Sequence, residues 1–229
     1  KSVYEDDYEG DGRRFYTDGP NIHRYLRELN AATFGTDTEI ITVGEMSSTS
    51  MENCYQYGNG DGKELSMVFS FHHLKVDFMG NEKWVLVPAD FQKLKNILFS
   101  WQKGMQEHNG WNALFWCNHD QPRAVSRFGS DTVYWKESAK MLATAIHFMR
   151  GTPYIYQGEE LGMTNAHFTS IDQYRDVESL NYYNILRGEG KSEAETLDII
   201  AQRSRDNGRT PMQWDASANA GFTTGTPWI

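Results

Sequence analysis

Four short apolar runs, each separated from the next by a stretch of helical periodicity, restrict what this chain can fold into. The first, Glu39-Ile-Ile-Thr-Val-Gly-Glu-Met46, concentrates β-branched residues and reads as a strand buried on both faces. Its carboxyl end carries a single acid, Glu45. The other runs cover residues 65–72, 112–120 and 152–157. Ahead of the first run, Asp18-Gly19-Pro20 opens a predicted helix with the apolar stripe Ile22, Tyr25, Leu26 and Leu29. A short helix is predicted over 51–57, closed by Gly58. Asp90 is predicted to cap a long helix carrying Phe91, Leu94, Ile97, Leu98, Trp101 and Met105. A further helix over about 134–150 stops at Gly151, and polar helices follow, one opened by a Ser192…Glu195 capping box.

Strands that alternate with helices pack as a parallel sheet with right-handed crossovers. A closed (β/α)8 barrel takes roughly 250 residues and eight strands, whereas these 229 residues hold four such runs. The expected architecture is α/β: half of a (β/α)8 barrel with long loops, in one domain over 1–229. Ligands of such sheets bind at the carboxyl ends of strands. Glu45 and Asp120, the last residue of the third run, both fall there.

The net charge of -9 lacks the basic excess of a nucleic-acid surface, and no run approaches the length of a membrane span. Neither nucleic acid nor membrane is expected as a partner. Lys1-Ser-Val-Tyr-Glu-Asp-Asp7 has no signal-peptide character and no initiator methionine, so the chain is expected to begin inside a longer one. Cys54 and Cys117, the two cysteines, read as reduced thiols of a cytoplasmic protein. No CxxC and no His/Cys cluster has zinc spacing; neither metal nor cofactor is expected.

Two acids at the ends of separate strands suit glycosidic-bond cleavage, which works with a pair of carboxyl groups. Glu45 alone could equally be a surface acid. Asp120 could instead cap a helix beginning at Gln121-Pro122-Arg123, although capping leaves Asn118-His119 unexplained. A histidine beside a carboxylate can hydrogen-bond sugar hydroxyls while the acid stabilises developing positive charge. His72 and His73, adjacent on a predicted strand, would point to opposite faces and could not pair on a metal. Lys75 reads as a solvated lysine, with anion binding as the sharper alternative. Glu159 and Glu160 do not face each other in a helix, which favours a local structural role. Arg205 and Arg209 flank Asp206-Asn207-Gly208 and could reach into a cleft.

These residues stand in motifs that resemble the α-amylase superfamily of retaining glycosidases. The motifs are Gly10-Asp-Gly-Arg-Arg-Phe-Tyr-Thr-Asp-Gly-Pro20, Thr42-Val-Gly-Glu-Met46 and Asn118-His-Asp-Gln-Pro-Arg123. Gly151-Thr-Pro-Tyr-Ile-Tyr-Gln-Gly-Glu-Glu-Leu-Gly-Met163 and Arg205-Asp-Asn-Gly-Arg-Thr-Pro-Met-Gln-Trp214 follow, in the family's order. The similarity is to the branch that holds oligo-1,6-glucosidases and trehalose-6-phosphate hydrolases. Phe71-His-His-Leu-Lys-Val-Asp77 looks like the latter, as do Met46-Ser-Ser-Thr-Ser50 and Leu114-Phe-Trp-Cys-Asn-His119.

The resemblance implies the C-terminal half of a (β/α)8 barrel, four parallel strands with their helices, incomplete without an N-terminal half. It implies Glu45 as general acid/base and Asp120 as transition-state stabiliser. His119, Arg205 and Arg123 would bind substrate. Lys75 would contact a phosphate, because a lysine where relatives carry an acid supplies a point charge and repels no anion. The implied reaction is retaining hydrolysis of α,α-trehalose 6-phosphate to glucose and glucose 6-phosphate. Cleavage of isomalto-oligosaccharides, or sugar binding without turnover, are the alternatives. The family's nucleophilic aspartate lies in a Phe-Arg-x-Asp context that these residues do not contain, and Asp18 belongs to the helix-entry loop. The nucleophile is therefore expected before Lys1, and residues 1–229 alone are expected to be inactive. The expected partners are a phosphorylated disaccharide and the N-terminal part of the same protein.

Overall fold

A computed structural model of the chain describes residues 12–37 and 39–229. The start at Lys1, and Gly10 and Asp11 of the first motif, lie outside the described residues. In chain order the elements are α1 (Ile22–Thr33), β1 (Val43–Met46), α2 (Met51–Tyr57), β2 (Met67–Ser70), α3 (Phe91–Glu107) and β3 (Asn112–Leu114). Then follow α4 (Ala124–Phe128), α5 (Trp135–His147), β4 (Thr152–Pro153), α6 (Val177–Gly188) and α7 (Glu193–Arg203). The strands form an open sheet in the order β1-β2-β3-β4. β1 runs parallel to β2 with Glu45 opposite Phe69, and β2 runs parallel to β3 with Val68 opposite Asn112. Sequence-adjacent parallel strands joined through helices are the α/β alternation expected.

The chain forms two compact units. Among the described residues, the first comprises those up to His73, Gln92–Leu114 and Arg150–Thr152; the second comprises Leu74–Phe91, Phe115–Met149 and Pro153–Ile229. In the first, Cys54 and Tyr57 of α2, Val68 of β2, and Trp101 and Met105 of α3 make the core, with Ile22, Leu26 and Met46 packed against it. Gly104 lets α3 approach α2, because a Cβ there would lie 2.0 Å from Met51 Sδ. Buried Glu64 ties down α1: Arg27 Nε donates to its carboxylate at 2.8 Å, and His23 Nδ1 lies 2.8 Å from the other oxygen.

Each strand is shorter than its apolar run, and for β2 and β4 a single side chain accounts for it. Ile40 and Ile41 precede β1 and are exposed, and Val43 and Glu45 alternate with half-buried Gly44 and Met46. β1 stands at one end of the strand order, and in this chain the face carrying Val43 and Glu45 is exposed. β2 stops at Ser70, whose Oγ meets the His72 backbone N–H at 3.4 Å and its Nδ1 at 3.1 Å. His72–Lys75 is consequently a 3-10 turn, and the two histidines do not alternate across a strand. β3 stops at Leu114, leaving Asp120 in a loop beyond the strand rather than at its end. β4 is two residues long, because Pro153 has no N–H for a ladder.

The second unit packs Trp84, Tyr174, Leu186, Ile199 and Ile200. Its α7 begins with the expected capping box: Ser192 Oγ accepts from the Glu195 N–H at 3.2 Å, and Glu195 Oε2 accepts from the Ser192 N–H at 2.9 Å. Its most buried charge cluster centres on Asp77. Arg127 donates to both carboxylate oxygens, at 2.9 Å and 2.7 Å. Arg203 donates to the same carboxylate and, at 2.6 Å, to the Asp77 carbonyl.

Removing one partner of such a cluster leaves buried charge uncompensated. Asp77→Ala is expected to destabilise the protein by about 3–5 kcal/mol, read from urea denaturation. Burial pushes the Asp77 carboxyl up, but Arg127 and Arg203 outweigh it and hold it below the usual carboxylate range. Its contribution is therefore complete above the ordinary aspartate value of about 3.9 and is lost as pH falls through the lower folded value. Asp77→Ala should flatten the acid limb of the stability curve below about pH 4; an unchanged limb would contradict this assignment.

Candidate active site

Glu45 belongs to the first unit and Asp120 to the second. Glu45 projects from the exposed face of β1 and helps to line a cavity of about 580 Å³ with Phe15, Tyr16, Asp18, Tyr25 and Tyr57. Asp18, in a left-handed conformation (φ 51°), anchors that region. Its carboxylate accepts from Tyr57 Oη at 2.6 Å, from Asn53 Nδ2 at 3.0 Å and from Thr49 Oγ1. Burial raises its pKa, but these hydrogen bonds prevail and hold it below the usual range. Asp18 thereby ties the loop ahead of α1 to the turn that leaves β1, immediately after Glu45.

Beyond β3, Phe115, Trp116 and Cys117 are buried. The Asp120 N–H then donates to Asn118 Oδ1 at 2.8 Å, an Asx turn that reverses the chain. α4 begins at Ala124 with Arg123 ahead of it, so Asp120 is not a helix cap. Asp120 Oδ1 instead accepts from Arg209 Nη2 at 2.7 Å, while Arg209 Nε donates to the His119 carbonyl at 2.8 Å. Arg205 Nη1 lies 3.6 Å from the same Asp120 oxygen. The exposed His119 ring places Nε2 3.6 Å from Asp120 Oδ2.

Both arginines converge on Asp176, whose side chain is 2% exposed. Arg205 donates to it from Nε at 3.0 Å and from Nη2 at 2.7 Å, and Arg209 Nη1 donates to it at 3.5 Å. Burial pushes the Asp176 carboxyl up, but Arg205 and Arg209 more than compensate and keep it below the usual range. Arg205 is raised in turn, chiefly by its hydrogen bond to Asp176. The Asp176 backbone is itself fixed, since its N–H donates at 2.9 Å to buried Asp206. Gly208 completes the arrangement. A Cβ there would stand 2.7 Å from the Gln121 carbonyl oxygen and 2.8 Å from that of Asn118.

The structure thus gathers Asp120, His119 and Arg205, three of the residues singled out in the sequence. Arg123 requires correction. It is 1% exposed, and its guanidinium donates to the Asn207 carbonyl at 2.9 Å, to that of Gln157 at 2.6 Å and to Thr210 Oγ1 at 3.1 Å. Buried and engaged at each guanidinium nitrogen, it joins the loop after β3 to Gln157 and to the 207–210 turn, a structural role where the resemblance implied a ligand contact. Lys75 is half-buried at the end of the 3-10 turn that leads to Asp77. Glu159 accepts from the Tyr156 N–H at 3.0 Å, and burial raises its carboxyl to about 7. Sequence reasoning missed Asp176, which no motif marked; it offered Arg209 with Arg205 as able to reach a cleft, without naming Asp120 as its partner.

The family described as alpha amylase, catalytic domain, matches residues 1–229, and the chain belongs to that family. It is 62% identical over 221 residues to a trehalose-6-phosphate hydrolase of Bacillus subtilis, covering 96% of this chain and 39% of that protein. It is 51% identical over 219 residues to an oligo-1,6-glucosidase of Bacillus cereus, covering 95% and 39%. The solved structure of Bacillus licheniformis trehalose-6-phosphate hydrolase superposes with a TM-score of 0.93 at 62% identity, covering 98% of this chain and 40% of that one. The chain therefore spans about 40% of the length of these relatives.

Because Gly208 lies against backbone that cannot yield, Gly208→Ala should force the 205–209 turn away from the Asp120 loop. The expected cost is about 1–3 kcal/mol of stability in thermal or urea denaturation. A crystal structure should show a lengthened Arg209–Asp120 contact. An unchanged contact at unchanged stability would contradict this reading.

Proposed function

We propose that the whole protein is a retaining α-glucosidase that hydrolyses α,α-trehalose 6-phosphate to glucose and glucose 6-phosphate. The observation that carries this reading is the greater likeness, over the same span, to a trehalose-6-phosphate hydrolase than to an oligo-1,6-glucosidase. Glu45 donates a proton to the glycosidic oxygen as the bond breaks. The family's aspartate nucleophile attacks the anomeric carbon from the other side and forms a glycosyl-enzyme. Glu45 then takes a proton from water, which displaces the enzyme carboxylate with retained configuration. Asp120 faces the positive charge that develops on the ring, and His119 and Arg205 hold the sugar's hydroxyls.

Lys75 supplies the cation for the phosphate. The Lys75 ammonium matches a dianion as a point charge, which an acidic residue in its place would repel. A sugar phosphate and two free, buried thiols suit the cytoplasm, where we place the protein. Among the described residues no helix is long and apolar enough to cross a membrane.

Steady-state turnover of trehalose 6-phosphate and of isomaltose by the whole protein tests the substrate. A higher kcat/KM for isomaltose would overturn the phosphate reading. Lys75→Ala should cut kcat/KM for the phosphorylated disaccharide about 10- to 100-fold, with an unphosphorylated α-glucoside little affected. Glu45→Gln should lower kcat by about 10²–10⁴-fold. Binding of the sugar with no turnover by the unaltered protein would favour a non-catalytic relative.

A further inference from the structure

We infer that Arg209 is the positioning residue for Asp120, and that buried Asp176 sets where Arg209 stands. The inference rests on Asp120 being the charge-stabilising carboxylate of the proposed reaction. Arg209 uses separate N–H groups on two consecutive residues. Nε holds the His119 carbonyl at 2.8 Å, and Nη2 holds Asp120 Oδ1 at 2.7 Å. Backbone and side chain are thus gripped by one planar group, which fixes the carboxylate's direction as well as its place. Among the described residues no hydrogen bond reaches Asp120 Oδ2, which has only the His119 ring 3.6 Å away. One oxygen is held, and the other is left for a ligand.

A surface ion pair would carry little weight, but this one is anchored from behind. Arg209 Nη1 faces Asp176 at 3.5 Å, and that carboxylate, 2% exposed, is also gripped by two N–H groups of Arg205. The Asp176 backbone hangs on Asp206. Arg205 and Arg209 therefore keep a fixed separation, with Arg205 3.6 Å from Asp120 and Arg209 in direct contact with it. Arg205 remains nearer the ligand-binding role that its motif implies. Arg209 acts through Asp120 and does not touch the sugar.

A group that orients a transition-state stabiliser changes kcat more than KM. In the whole protein, Arg209→Ala should lower kcat for trehalose 6-phosphate about 100-fold, the scale for losing one preorganised electrostatic contact. KM should move by no more than about threefold. Guanidinium ion at millimolar concentration should restore at least part of the lost kcat in Arg209→Ala. Arg209→Lys, which keeps the charge without the fork, should recover less than Arg209→Ala plus guanidinium. A raised KM with unchanged kcat would overturn the inference, as would a loss of kcat that guanidinium leaves untouched.

Asp176→Asn provides a second variant of nearly equal shape, expected to lower kcat in the same sense; full kcat in that variant would remove Asp176 from the account. Should the unaltered whole protein hydrolyse no α-glucoside, the functional reading fails. The positioning claim is then decided by crystal structures of Arg209→Ala and of Asp176→Asn. An Asp120 carboxylate that keeps its direction in both would overturn it, and a reoriented one would sustain it.

Discussion

Buried carboxylates that each face two guanidinium groups organise the second unit. Asp77 meets Arg127 and Arg203, and Asp176 meets Arg205 and Arg209. Taking a carboxylate out of water is costly, and the cost is recovered only when its oxygens are matched by donors in good geometry. The forked guanidinium provides that match at both oxygens, which a lysine cannot. Arg127, Arg203, Arg205 and Arg209 are consequently held by the carboxylates behind them. Asp120 and His119 lie on a loop beyond β3, and two of those arginines, Arg205 and Arg209, reach it.

In the first unit buried Glu64 meets Arg27 and His23, whereas Asp18 is held by neutral donors. Asp18, held by Thr49, Asn53 and Tyr57, closes the loop ahead of α1 onto the turn after β1. Glu45 lies in β1, one residue before its end and four before Thr49 of that clamp.

The layout of strands and helices was legible because apolar period and punctuation agree. β-Branched runs alternate with amphipathic helices, Gly58 closes α2, and Ser192 with Glu195 opens α7. The ends of the strands were not legible, because single side chains decide them. Ser70 Oγ diverts β2 into a turn, and Pro153 cuts β4 short. Hence Asp120 seemed to end a strand in the sequence, whereas Asn118 folds it into an Asx turn. The motif around Arg205 pointed to the site, but Asp176 could not be found from sequence. Its partners lie 29 and 33 positions away, and burial is what gives it meaning. Arg123 misled for the converse reason: a motif arginine next to Asp120 suggested a ligand, while its hydrogen bonds all run inward.

A crystal structure of the whole protein bearing Glu45→Gln, with trehalose 6-phosphate bound, decides whether the Asp120 oxygen that Arg209 leaves unheld meets the sugar. A glucose ring is expected against Asp120 Oδ2 and His119, with the Arg209–Oδ1 contact intact. A ring seated away from Asp120, or an Arg209 that has left the carboxylate to contact the sugar itself, would contradict it.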